Sequence, residues 1–157
     1  MKTQRALSLS SCALCVGLLM ALSGLPAHAD IDADVRAGGY TDAEGAMIGG
    51  GALMNLEPSR QWYFNPNVEV VFPDDSDLVT VNGDFHYDFP ANRVAYWVGA
   101  GPAIRFEDPD FGDDDTDLGA NLLAGFGARQ GEVRPFGQVK VLFADDPEAA
   151  LMVGVRF

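Results

Sequence analysis

The chain has 157 residues and sets 10 lysines and arginines against 23 aspartates and glutamates, a formal net charge of −13. That length suits one domain, and so few bases exclude a nucleic-acid partner, whose phosphates call for clustered lysine and arginine. Both cysteines, Cys12 and Cys15, lie near the start, so the rest of the chain has no disulfide, thiolate metal site or cysteine nucleophile.

Residues 1–29 read as a cleaved export signal. Lys2 and Arg5 form a basic start, an apolar stretch runs from about Ala13 to Leu22, Gly24 and Pro26 break it, and Ala27-His28-Ala29 gives an A-x-A site before Asp30. The apolar run is shorter than the roughly 20 residues a membrane helix needs. Leu9-Ser10-Ser11-Cys12 has the look of a lipoprotein processing site, but there the apolar run should precede the cysteine, and here most of it follows. Loss of Lys2 and Arg5 takes the ten bases to eight against 23 acids, so residues 30–157 carry a net charge of −15.

The mature chain has no helical periodicity of useful length. Period-2 alternation instead predicts eight strands, approximately Ile31–Tyr40, Gly45–Leu56, Trp62–Phe72, Leu78–Phe89, Arg93–Phe106, Leu118–Arg129, Val133–Phe143 and Ala149–Phe157, separated by Asp, Pro and Gly clusters. Most are longer than the five or six residues of ordinary strands and match the roughly 9 to 11 of tilted membrane strands. In the fourth run Val79, Val81, Phe85, Tyr87 and Phe89 share one face, and Thr80, Asn82, Asp84, His86 and Asp88 the other. In the last, Leu151, Val153, Val155 and Phe157 oppose Met152, Gly154 and Arg156.

Alternation alone does not say whether the apolar face points into a core or out into lipid. The second face decides: it holds Gly49, Gly51, Gly99, Gly101, Ala103, Gly119, Gly125, Gly127 and Gly154 with scattered charges, where a solvated strand face would carry Lys, Glu and Thr. Small residues belong where space is tight, and the interior of an eight-stranded barrel is just wide enough for side chains. A barrel also pairs every backbone group, as hydrocarbon demands. The expectation is an all-β, eight-stranded antiparallel up-and-down transmembrane β-barrel. Aromatic rings near the strand ends, Trp62, Phe64, Phe89, Phe126 and Phe157 at one rim and Phe72, Phe106 and Phe143 at the other, fit membrane interfaces.

The export signal, the eight runs, the stretches "WYFNPNVEVVF", "YWVGAGPAIRF" and "GANLLAGFGA", and the closing "VGVRF" resemble the small bacterial outer-membrane β-barrel proteins, the OmpA/OmpX-like group. The likeness spans the whole mature chain through diffuse patterns, with no catalytic signature. It implies a place in the cell outer membrane, contact with its lipid and lipopolysaccharide, and a last strand, with Val153, Val155 and Phe157, that the barrel-assembly machinery reads. A monomer is expected. Members of this group include adhesion and resistance factors and lipid A enzymes, so the resemblance implies no single activity.

With the N-terminus in the periplasm, the outer connections are Thr41–Glu44, Pro73–Asp77, Glu107–Asp117 and Ala144–Glu148, which hold 2, 3, 7 and 3 acids and no base. The periplasmic turns, around Glu57–Gln61, Pro90–Asn92 and Gln130–Glu132, are short. Three outer loops are short too, which weighs against a broad adhesion role. Asp108, Asp110, Asp113, Asp115 and Asp117 offer hard oxygen ligands for Ca²⁺ or Mg²⁺. Leu118 stands where an EF-hand needs glycine, so only weak divalent binding, shared with lipopolysaccharide phosphates, is expected, set against a merely solvated acidic loop. No other cofactor is expected.

Inside the barrel, charges should pair, because an isolated buried ion is costly. Glu69, Asp84 and Asp88 with His86, Arg36, Arg105, Arg129, Arg134, Lys140 and Arg156 form the expected network, with Asp88, Arg129, Arg134 and Arg156 clustered toward the periplasm and Arg36, Glu69, Asp84 and Lys140 nearer the middle. Such a network plugs the lumen, and a diffusion porin needs about 16 strands. His86 between Asp84 and Asp88 has the makings of an acid–base group, but Ser59 and Ser76, the only mature serines, lie far from it by this topology. The expectation is therefore a non-enzymatic barrel with an interaction role at the cell surface. A lipid-modifying enzyme and a soluble periplasmic lipocalin-like barrel are the alternatives.

Overall fold

The computed structural model describes residues 31–41, 45–72, 76–89, 91–109, 115–145 and 147–157; the expected export signal over residues 1–29 lies outside them. Eight strands follow in chain order: β1 (Ile31–Tyr40), β2 (Ala46–Asn55), β3 (Trp62–Phe72), β4 (Ser76–Phe89), β5 (Val94–Pro109), β6 (Asp115–Ala128), β7 (Arg134–Phe143) and β8 (Glu148–Arg156). Each pairs antiparallel with the next, and β1 pairs with β8 to close the barrel, so no edge is left to pair with another chain or to sit unsatisfied in lipid. The β2–β3 connection is a tight turn in which Arg60 takes a positive φ of 55° and its N–H donates to the Glu57 carbonyl at 3.1 Å. The β6–β7 connection uses Gly131 at φ 111°, a conformation glycine adopts without a Cβ penalty.

Which way the faces point is settled by exposure. Phe85 is 46 %, Phe157 53 % and Val153 64 % exposed, while Glu69 is 0 % and Arg156 8 % exposed. The apolar face is the outer wall and the charged face the interior, the reverse of a water-soluble barrel, and the lipocalin-like alternative falls with that. Glycines on the inner face leave room for large rings: a Cβ on Gly125 would lie 2.4 Å from the Trp97 ring, and one on Gly154 2.6 Å from the Phe136 ring.

The structure differs from the sequence reading in two respects. First, β4, β5 and β6 run to 14, 16 and 14 residues, beyond the expected strand ends. Register pairs Asp77 with Asp108, Glu107 with Asp115 and Arg105 with Asp117, and Glu148 opens β8 instead of ending a loop. Of these acids only Asp117 meets a base across the ladder, Arg105; Asp77 with Asp108 and Glu107 with Asp115 pair acid with acid in register. Second, the interior is not only small and charged. Tyr40, Met47, Val71, Leu78, Ala103, Leu142, Ala150 and Met152 form an apolar cluster toward the outer end, and Ala95, Trp97, Leu123 and Phe136 a smaller one toward the periplasmic end.

Candidate functional site

Between these two apolar layers lies a buried polar layer supplied by inward positions of β1, β3, β4, β6 and β7. Strand alternation places Asp34, Arg36 and Tyr40 of β1, Asn65, Asn67 and Glu69 of β3, Thr80, Asn82, Asp84 and His86 of β4, Asn121 of β6 and Lys140 of β7 inward, all of them buried.

Glu69 is the hub of one half. Its carboxylate takes the Lys140 ammonium, accepts a 2.6 Å hydrogen bond from the Tyr40 hydroxyl, and lies 3.5 Å from an Arg36 guanidinium nitrogen. Arg36 also donates to Asp34 at 2.6 and 2.9 Å and to the Asn65 amide oxygen at 2.8 Å, and Asn65 returns a 2.9 Å bond to Asp34.

The other half is a closed ring of four side chains. Asn67 donates to Asp84 at 2.9 Å, Asn82 to Asn67 at 2.9 Å, Asn121 to Asn82 at 2.8 Å, and Asn121 again to Asp84 at 2.9 Å. A 3.1 Å bond from Asn67 to Asn65 joins the halves. The ring gives the Asp84 carboxylate two amide donors, the satisfaction a buried ion requires.

The remaining charges lie apart from this layer. Arg105 reaches Glu148 at 2.8 Å and Glu107 at 3.6 Å near the outer end. Toward the periplasm, Arg156 stacks over Trp97 and Phe136, its guanidinium carbon 4.2 and 4.9 Å from the two ring centroids. Trp97 is itself tied to Gln138 by a 3.0 Å bond. Arg129 caps the β4–β5 turn by donating to the Ala91 carbonyl at 2.7 Å, and Arg134 pairs with Asp32 at 2.6 Å. Asp88, Arg129, Arg134 and Arg156 all lie toward the periplasmic end, with Asp88 in electrostatic reach of Arg156 and Arg129, while the direct contacts of the three arginines go to a backbone carbonyl, Asp32 and an aromatic pair.

His86 is not hydrogen-bonded to Asp84 through Nδ1, which has no hydrogen-bond partner among the described residues. Asp84 is engaged by Asn67 and Asn121, and the nearest aromatic neighbour of His86 is Trp97 at 6.2 Å. Ser59 is bonded to Glu57 in a periplasmic turn, and Ser76 begins β4 at the outer end.

Of the five candidate cation ligands, Asp110 and Asp113 lie outside the described residues, as do the side chains of Asp108 and Asp115. Asp117 is half-buried and in register with Arg105, a neighbour that works against a cation. Among the described residues no group of three or more His, Cys, Asp or Glu is placed to hold a metal. On β8, Val153 and Phe157 are exposed and Val155 half-buried on the outer wall, and the Phe157 N–H donates to the Ala33 carbonyl at 2.9 Å.

Tyr40, Asp34, Asn65, Asn67 and Asn121 are the members that sequence reasoning missed, and it puts Asn82 on the inner face but not in the network. The search there was for ionisable pairs, whereas the signal that finds them is parity: Asn65 and Asn67 alternate with Glu69, and Asn82 with Asp84 and His86.

No family model and no curated protein matches the sequence. Solved structures do share the fold. The N-terminal β-barrel domain of Pseudomonas aeruginosa OprF superposes with a TM-score of 0.67 at 16 % identity, over 81 % of this chain and 95 % of that one. Neisserial surface protein A (NspA) gives 0.63 at 17 %, over 80 % and 94 %. The outer membrane enzyme PagL gives 0.55 at 12 %, over 80 % and 98 %. With an apolar wall outside, a sealed ladder and polar side chains within, the chain has the fold of the small eight-stranded β-barrels of bacterial outer membranes.

Proposed function

We propose that this chain is a non-enzymatic barrel of the outer membrane, closed to solutes along its axis, with a structural and interaction role at the cell surface. The reading rests on one observation: side chains as large as Trp97, Met152, Lys140 and Leu142 are under 2 % exposed inside an eight-stranded cylinder, which is the width that side chains fill. Its partners are outer-membrane lipid and lipopolysaccharide, and the barrel-assembly machinery acting on β8 through Val153, Val155 and Phe157. The acidic outer connections bind Ca²⁺ or Mg²⁺ weakly beside lipopolysaccharide phosphates.

Reconstitution of the folded protein in planar bilayers tests closure. No discrete conductance steps are expected, and reproducible steps from the purified native protein would refute it. The fold shared with PagL keeps one rival in view, a lipid-modifying enzyme; hydrolysis of lipid A by the purified protein, lost in His86→Ala, would establish that instead.

A further inference from the structure

The outer wall is uneven. Around β3, β4 and β5 it is thick with rings in edge or tilted contact, Trp62 with Tyr87 at 5.2 Å, Phe64 with Phe85 at 4.7 Å and Tyr87 with Phe89 at 5.3 Å. On the opposite side, across β6, β7, β8 and β1, small outward residues are set among larger ones such as Val35, Phe126 and Val153. Ala37, Ala128, Pro135 and Gly137 leave an open groove of about 830 Å³ between Phe126 and Val153. Gly137 deepens it, and the Phe126 ring lies beside the bare backbone, where an added Cβ would sit 3.4 Å from it.

At the periplasmic end the groove meets Arg93. This residue is exposed just before β5, and its carbonyl holds the Arg129 N–H at 3.1 Å. Its guanidinium has no ion-pair or hydrogen-bond partner among the described residues, unlike Arg36, Arg105, Arg129 and Arg134. No carboxylate lines the groove.

The geometry points to a binding site for one anionic glycerophospholipid of the periplasmic leaflet, its acyl chains in the groove and its phosphate on Arg93. A groove in a lipid-facing wall must be filled, since a void forfeits the dispersion contacts of its lining. Acyl chains fit an apolar trough of this size, and an arginine at the interface draws anionic headgroups. A second copy of the chain, docked about a two-fold axis, would repeat the same surface on both sides, and that surface offers no carboxylate to pair with Arg93. The outer leaflet's lipopolysaccharide faces the other end of the barrel. The inference goes beyond the proposed surface role and is independent of it.

The test is retention of lipid by the folded protein in neutral detergent, titrated with dioleoylphosphatidylglycerol or dioleoylphosphatidylethanolamine and read by native mass spectrometry. Arg93→Gln and Ala37→Phe are compared with the native chain, each first shown to be folded by its heat-dependent gel mobility. The native protein is expected to keep one phosphatidylglycerol with a preference of roughly fivefold over phosphatidylethanolamine, the effect of one interfacial arginine. Arg93→Gln loses the preference but keeps a lipid, and Ala37→Phe keeps neither. The site is refuted by equal retention of both lipids in the native protein, by unchanged retention in Ala37→Phe, or by a dimer that Ala37→Phe splits. A stronger preference for lipid A that Ala37→Phe abolishes refutes it as well.

Discussion

Lys140 and Glu69 are both sealed from solvent, and neither tolerates that burial alone. Removing one partner of a buried pair leaves an uncompensated charge, at a cost of about 3–5 kcal/mol, whereas replacing both by well-packed neutral groups is often nearly neutral. Glu69 keeps Arg36 and Tyr40 when Lys140 is lost, which puts Lys140→Met near the low end, about 3 kcal/mol. Reversible urea unfolding in lipid vesicles measures it. The double variant Lys140→Met with Glu69→Gln is expected to recover most of the loss, and an equally unstable double variant would show that packing around Lys140 matters more than charge.

At the scale of the element, each strand has to satisfy lipid on one side and the interior on the other. β8 does so in alternate residues: Ala150, Met152 and Arg156 are buried, while Leu151, Val153 and Phe157 are exposed. A charge at an outward position near mid-strand therefore sits in hydrocarbon. Val153→Arg is expected to destabilise the barrel by roughly 2–4 kcal/mol, the cost of arginine near the bilayer midplane, and the same unfolding measurement checks it. Phe157→Arg, at the interface, should cost far less; equal losses at both sites would mean that depth in the membrane does not control β8.

For the whole molecule the dominant feature is charge asymmetry along the barrel axis. The outer connections and the strand ends beside them hold 15 acids by sequence, and the structure gives two of these, Glu107 and Glu148, a partner in Arg105. That lowers the uncompensated charge without removing it, since Arg105 is a single base. Calorimetric titration of the folded barrel with CaCl₂ or MgCl₂ is expected to show saturable heat at millimolar concentration, reduced by raised NaCl as screening requires. Absence of heat at that concentration removes cation binding from the proposed function.

Much of the architecture was written in the sequence. Period-2 alternation is a local property, so the residues of β1 and β3 could be read to their ends, and the glycines of the inner face pointed to a narrow interior before any contact was known. Where β4, β5 and β6 stop was not legible, because a ladder is extended by what lies across it, and Arg105 meets Asp117 and Glu148 only once strands distant in sequence are in register. The site divides in the same way. Alternation placed Glu69, Asp84, His86 and Lys140 on inner faces, but which atoms meet depends on how far each strand is staggered against the next around a closed cylinder. Tertiary structure alone tied Asp84 to two asparagines, set Arg156 on two rings, and opened a groove beside Arg93.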